Sequence, residues 1–84
     1  MMEFEGIDLK RVVNIYPCVV VRHGEETTTI SFEWFDENSQ NVEKVGYGLI
    51  FIGVDGDKRE LFFSTYEKML EAMEEIASKL QQPQ

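Results

Sequence analysis

The side chains that most often carry chemistry are thinly spread along this sequence. Cys18 and His23 are each the only residue of their kind, whereas a zinc site or thiol catalysis needs several ligands, or a base, converging on one point. They stand five residues apart, an odd spacing that aims two side chains of a strand at opposite faces. They read as a buried thiol and an imidazole flanking a turn. Asp55-Gly56-Asp57 with Glu60 has the outline of a calcium loop, but an EF-hand loop closes on a glutamate at its last position, where this chain carries Tyr66. A tight hairpin turn accounts better for the Asp-Gly pair.

Glu67, Glu71, Glu74 and Glu75 are candidate paired carboxylates for acid-base or two-metal chemistry. Lys68 and Lys79 lie among them, and the group reads as the solvated side of a surface helix. Gly46, Gly48 and Gly53 precede no helix and have no basic partner, so they mark bulges or close packing rather than a phosphate cradle. Trp34, Phe35 and Tyr47 are the aromatic types of a stacking platform for single-stranded nucleic acid, yet such platforms sit in positive grooves. Here Glu33, Asp36, Glu37 and Glu43 surround them, which favours an interface or core role. The expectation is a chain with no catalytic residue, no metal site and no cofactor.

The elements that would position these groups are legible to different degrees. Tyr66, Met69, Leu70, Met73, Ile76, Ala77 and Leu80 recur at three- and four-residue steps, which predicts an amphipathic C-terminal helix. Ser64 with Glu67 has the spacing of a capping box at its start. Residues 81–84 form a polar ending that contains Pro83, read as a tail on a single domain of residues 1–80. Thr27 to Asp36 alternates Thr28, Ile30, Phe32 and Trp34 with Thr27, Thr29, Ser31 and Glu33, the pattern of a half-buried strand. Cys18 to Arg22 is a Val-rich strand, and His23-Gly24-Glu25-Glu26 turns it back into the next.

Val45 to Val54 is apolar at both parities, hence a central strand, and Asp55-Gly56 leads into a short strand over Arg59 to Phe63. Leu9 to Tyr16 is ambiguous. Leu9, Val12, Val13 and Tyr16 have helical spacing after a possible Asp8 cap, while the β-branched Val12, Val13 and Ile15 favour a strand, which we place ahead. Pro17 should end or bend either one. The fold class is therefore α+β, a small antiparallel sheet of about four strands in a meander with the C-terminal helix on one face.

Eighty-four residues suffice for one domain, and the 43% apolar content belongs to a globular rather than a disordered chain. Sixteen acidic against eight basic residues give a net charge of −8, which disfavours direct nucleic-acid binding and docking on an anionic membrane. The lone cysteine permits no internal disulfide, and the acidic N-terminus followed by no apolar run has no signal-peptide character, so a cytoplasmic setting is expected.

One helix covers one face of a sheet. If Ile50, Ile52 and Val54 lie under it, Tyr47, Leu49 and Phe51 emerge opposite, near Phe35; the reverse assignment fits equally. The uncovered face then needs the N-terminal Phe4, Ile7 and Leu9, or a second molecule, for shelter. Trp34, Phe35, Tyr47, Leu49 and Phe51 are accordingly the candidate interface. The leading expectation is a non-enzymatic interaction or regulatory module that acts through its sheet face or edge on a protein partner, itself included as a homodimer. The alternative is an acidic mimic of a nucleic-acid backbone that blocks a basic protein, as small phage-encoded inhibitors do; the analogy is one of size and charge.

Overall fold

In a computed structural model, which describes residues 2–81, the chain is α+β: a four-stranded antiparallel sheet, a two-stranded hairpin and two helices. The hairpin comes first, β1 (Glu3–Phe4) and β2 (Ile7–Asp8). Its turn is Glu5-Gly6, both at positive φ, 50° and 79°, the backbone that a two-residue type I′ turn demands and glycine supplies without strain. A single 3-10 turn follows at Leu9–Arg11, capped by the Asp8 carboxylate, which accepts from the Lys10 N–H at 3.0 Å. The two tendencies of Leu9 to Tyr16 are thus divided between a capped turn and the start of a strand.

Strand β3 runs unbroken over Val12–His23. Pro17, expected to end or bend it, lies within the strand and pairs with Leu49. Strand β4 (Glu26–Ile30) joins β3 only from Val19 onward. Along Val12 to Cys18 one side of β3 therefore has no neighbouring strand among the described residues, and an edge is where a proline's missing donor is tolerated. The β3–β4 turn is Gly24-Glu25, with Gly24 at φ 65°.

The strand expected to continue to Asp36 stops at Ile30, and Phe32–Asn38 forms helix α1. Ser31 is the reason. Its hydroxyl accepts the Trp34 backbone N–H at 3.1 Å, and Glu33 stands in the first turn, so a cap and a favourable charge override a pattern that alternates only as far as Trp34. Helix α1 carries the chain across, so that β5 (Glu43–Gly53) pairs with β3 rather than β4, and β6 (Lys58–Phe63) pairs with β5. The order β4-β3-β5-β6 departs from a simple meander at that step. Asp55-Gly56 does make the β5–β6 turn: the Gly56 N–H donates to the Gly53 carbonyl at 3.0 Å, and the Asp55 carboxylate accepts from the Asp57 N–H at 3.2 Å.

Helix α2 spans Tyr66–Gln81, so Gln81 closes it and the rest of the expected tail, 82–84, lies outside the described residues. Its cap is Thr65 and not Ser64. The Thr65 hydroxyl accepts from the Lys68 N–H at 3.1 Å while its carbonyl takes the first helical bond, from Met69 at 3.2 Å. The buried stripe is Met69, Ala72 and Ile76, flanked by Met73, narrower than the expected stripe, and Tyr66, Leu70, Ala77 and Leu80 are exposed.

The main core lies between α2 and one face of the sheet. Leu49 and Phe51, at 0% and 1% exposure, pack there with Met69, Ala72 and Ile76. Phe4, Ile7 and Leu9 join the same core. The N-terminal hairpin thus extends the helix's cover and does not shelter the far face. Phe32 of α1 also packs against this core, so both helices and the hairpin lie on one side.

Candidate functional site: an open sheet face and an aromatic cavity

Register assigns the two faces. Cys18, Gly48 and Phe62 are cross-strand partners, as are Tyr16, Ile50 and Glu60, and Asn14, Ile52 and Lys58. These rows lie on the face opposite Pro17, Leu49 and Leu61. The first set is the open face, on which no helix or hairpin of the described residues packs. The exposure expected for Leu49 and Phe51 therefore does not occur. They face α2, and the apolar groups of the uncovered side are Cys18, Val20, Ile50, Ile52 and Phe62, with the Tyr16 ring beside them.

The open face is concave. A cavity of about 450 Å³ has Cys18, Val20 and Gly48 at its base, Thr27 to Thr29 of β4 on one side, and Glu60 and Phe62 of β6 on the other. The base is apolar and buried: Cys18 and Val20 lie between the side chains of β4 and β6, and Ile50, also buried, lies between its cross-strand partners Tyr16 and Glu60. Phe62, by contrast, is 60% exposed. Its ring lies against Gly46, where an added Cβ would stand 2.5 Å from ring carbons. Only a residue without a side chain lets the ring settle so close to β5.

Burial pushes the Cys18 thiol above its ordinary value, and the Glu60 carboxylate adds to the rise. Such a thiol stays protonated near neutral pH and is a poor nucleophile. At the other end of the sheet the Asp57 N–H donates to Asp55 and holds its carboxyl below the usual range, with a smaller contribution from Arg11. His23 closes the β3–β4 hairpin opposite Glu26 and is exposed.

The second site lies at the top of the covered face, where the start of β5 meets α1 and the first turn of α2. The rings of Phe32 and Tyr47 stack at 6.1 Å, and Tyr66 meets them at 6.3 and 5.5 Å, edge-on and tilted. Beside them a cavity of about 370 Å³ is lined by Val19, Phe35, Asp36 and Lys44 as well as these rings. The Lys44 ammonium donates to the Tyr47 hydroxyl at 2.8 Å and stands 5.1 Å from that ring's centre and 5.8 Å from that of Phe35. Of the five residues read as an interface, Phe35 and Tyr47 come together here. Trp34 is exposed on α1, and Leu49 and Phe51 are in the core.

Sequence reasoning missed Phe62, Tyr16 and Lys44. In Leu61-Phe62-Phe63 no alternation distinguishes the ring that points outward, and the available signal was indirect: Gly46 and Gly48 stripping one face of β5. Lys44 reaches the aromatic cluster through a register shift. Val20 pairs with Gly46 and Val21 with Lys44, leaving Val45 as the extra residue of a bulge.

The chain matches no protein-family model, no curated protein and no solved structure. Among the described residues no helix is long and apolar enough to cross a membrane.

Proposed function

We propose that this chain is a small non-enzymatic interaction module, working in the cytoplasm, that binds a protein partner through the open face of its sheet. The observation that carries this reading is Phe62: a large ring, 60% exposed, seated on a glycine beside an apolar row that no helix or hairpin of the described residues covers. The surroundings have the composition of a contact patch: an aromatic anchor on the edge strand β6, the apolar floor of Cys18 and Val20 beside it, and the polar Thr29, Lys58 and Glu60 around the same cavity. A second copy of the chain is the simplest partner to look for, because concentration alone reports it.

The test is light scattering from dilute to high micromolar protein, with affinity capture from a lysate of the organism that encodes the chain. Wild type and Phe62→Asp are compared, the latter checked for fold by circular dichroism. A folded Phe62→Asp that loses self-association and captured proteins supports the reading, and one that keeps every interaction of the wild type ends it. The acidic-mimic alternative predicts instead a basic target whose binding weakens steeply with salt and ignores Phe62.

A further inference from the structure

The cavity between α1, β5 and α2 has a feature that the sheet-face reading does not use: it already holds a cation. The Lys44 ammonium is held at the hydroxyl edge of Tyr47, 2.8 Å from its oxygen, and stands over the Phe35 ring, 5.8 Å from its centre; a ring face attracts a cation through its quadrupole at that range. Among the described residues the ammonium's one side-chain hydrogen bond is to the Tyr47 hydroxyl, and no carboxylate pairs with it. It reaches the rings only because the bulge at Val45 turns Lys44 onto the face of Tyr47 and Val21, and bulges commonly re-aim a side chain beside a site. Asp36, next to Phe35 on α1, also lines the cavity, and it has no ion-pair partner among the described residues. Helix α1 adds Glu33 and Glu37 and contains no basic residue, and the chain as a whole carries −8.

We propose that this cavity binds the cationic side chain, lysine or arginine, of a basic protein segment, and that Lys44 is its internal competitor. An incoming cation displaces the Lys44 ammonium to solvent and takes its place on the Phe35 ring and the Tyr47 hydroxyl, beside Asp36. The acidic setting concentrates such ligands near the mouth. That the ligand arrives on a protein rests on the interaction-module reading; the cation preference of the cavity does not.

The experiment is an NMR titration of the full chain, following the ring signals of Phe35, Tyr47 and Tyr66. The probes are N-acetyl-lysine amide, N-acetyl-arginine amide and the neutral N-acetyl-norleucine amide. The cationic probes should saturate in the millimolar range, with norleucine at least about fivefold weaker. Lys44→Ala should tighten lysine binding by about threefold or more, since the competitor is gone, and Asp36→Asn should weaken it by about twofold. Equal binding of norleucine and lysine, or a Lys44→Ala chain that binds no tighter, overturns the proposal. Phe62→Asp must leave the titration unchanged. Loss of cation binding in that variant places the response on the open face and likewise overturns the assignment, whereas failed titrations beside Phe62-dependent capture remove the cation site and leave the module reading standing.

Discussion

The two faces of the four-stranded sheet are made from the same strands, yet they solve the burial problem differently. On one face Leu49, Phe51 and Leu61 meet α2, α1 and the N-terminal hairpin, and large side chains interdigitate. On the other, β5 presents Gly46 and Gly48, and Cys18, Val20 and Ile50 are hidden by side chains of neighbouring strands instead of by a second layer. A face closed by its own side chains can be reopened or covered by another molecule without disturbing the core. The contrast is thermodynamic and can be measured.

Its largest consequence is a pair of phenylalanines. Phe51→Ala empties a site that is 1% exposed and should cost about 3–5 kcal/mol in urea denaturation, a large share of the roughly 5–15 kcal/mol typical of a whole domain. Phe62→Ala removes the same atoms from the open face and should cost less than about 1 kcal/mol. If the two costs prove equal, the open face is a second core and the distinction collapses.

Next comes the glycine that seats Phe62. A Cβ at Gly46 would lie 2.5 Å from the Phe62 ring and 2.8 Å from the Phe63 carbonyl oxygen, so Gly46→Ala should cost about 1–3 kcal/mol, as overpacking does. Combining it with Phe62→Ala should recover only part of that loss, because the backbone carbonyl does not move out of the way. Full recovery in the double variant would show that the ring alone sets the glycine requirement.

Cys18 sharpens the comparison further, since it measures how tightly the open face is closed. Its thiol should label slowly with a thiol reagent, and Phe62→Ala should speed the reaction while leaving stability nearly unchanged. The pH dependence has a definite sign. The folded thiol is raised above 9.0, so its contribution to stability is fully present below that value and is lost as pH rises through the folded one. Denaturation curves from pH 7 to pH 10 should therefore fall more for the wild type than for Cys18→Ala, and the difference between the two isolates this group.

The same contrast explains what could be read from the residues beforehand. Helix α2, the Asp55-Gly56 turn and the central strand β5 are written in local signals: period, turn chemistry and a run of β-branched and aromatic residues. Which face of β5 the helix takes is not, because Leu49 and Phe51 alternate with Ile50 and Ile52 and both parities are apolar. The choice depends on Gly46 and Gly48 lying on the same face as Ile50, and on the Glu5-Gly6 turn, which folds Phe4 and Ile7 onto the helix side; neither is a periodic signal. Helix α1 was hidden because Ser31 served two patterns, a polar position in an alternating strand and a helix cap, and only the backbone decided between them. The aromatic cavity was half legible: Phe35 and Tyr47 are evident by type, while the bulge that delivers Lys44 depends on pairing between strands distant in sequence.

The smallest predicted effect sits at the end of the open face. Arg22 and Glu43 are cross-strand partners whose charged groups meet at 2.8 Å. Both side chains are largely solvated, so Coulomb attraction is screened and two long side chains lose freedom to hold one geometry. A double-mutant cycle with Arg22→Ala and Glu43→Ala should give a coupling below about 0.5 kcal/mol that fades with added salt. The covered face offers the matching control. Lys79 donates to the Glu3 carbonyl at 2.6 Å and lies 5.9 Å from the Phe4 ring centre, tying the end of α2 to the hairpin. Lys79→Met keeps the aliphatic packing and removes both that bond and the 3.7 Å ion pair with Glu75, and should cost about 0.5–1.5 kcal/mol, of which only the small ion-pair share falls with salt. A salt-insensitive coupling at Arg22–Glu43 as large as the Lys79 effect would mean that the polar rim of the open face is as firmly built as the packed side, and a partner would then have to dock on a preformed surface instead of one it can reshape.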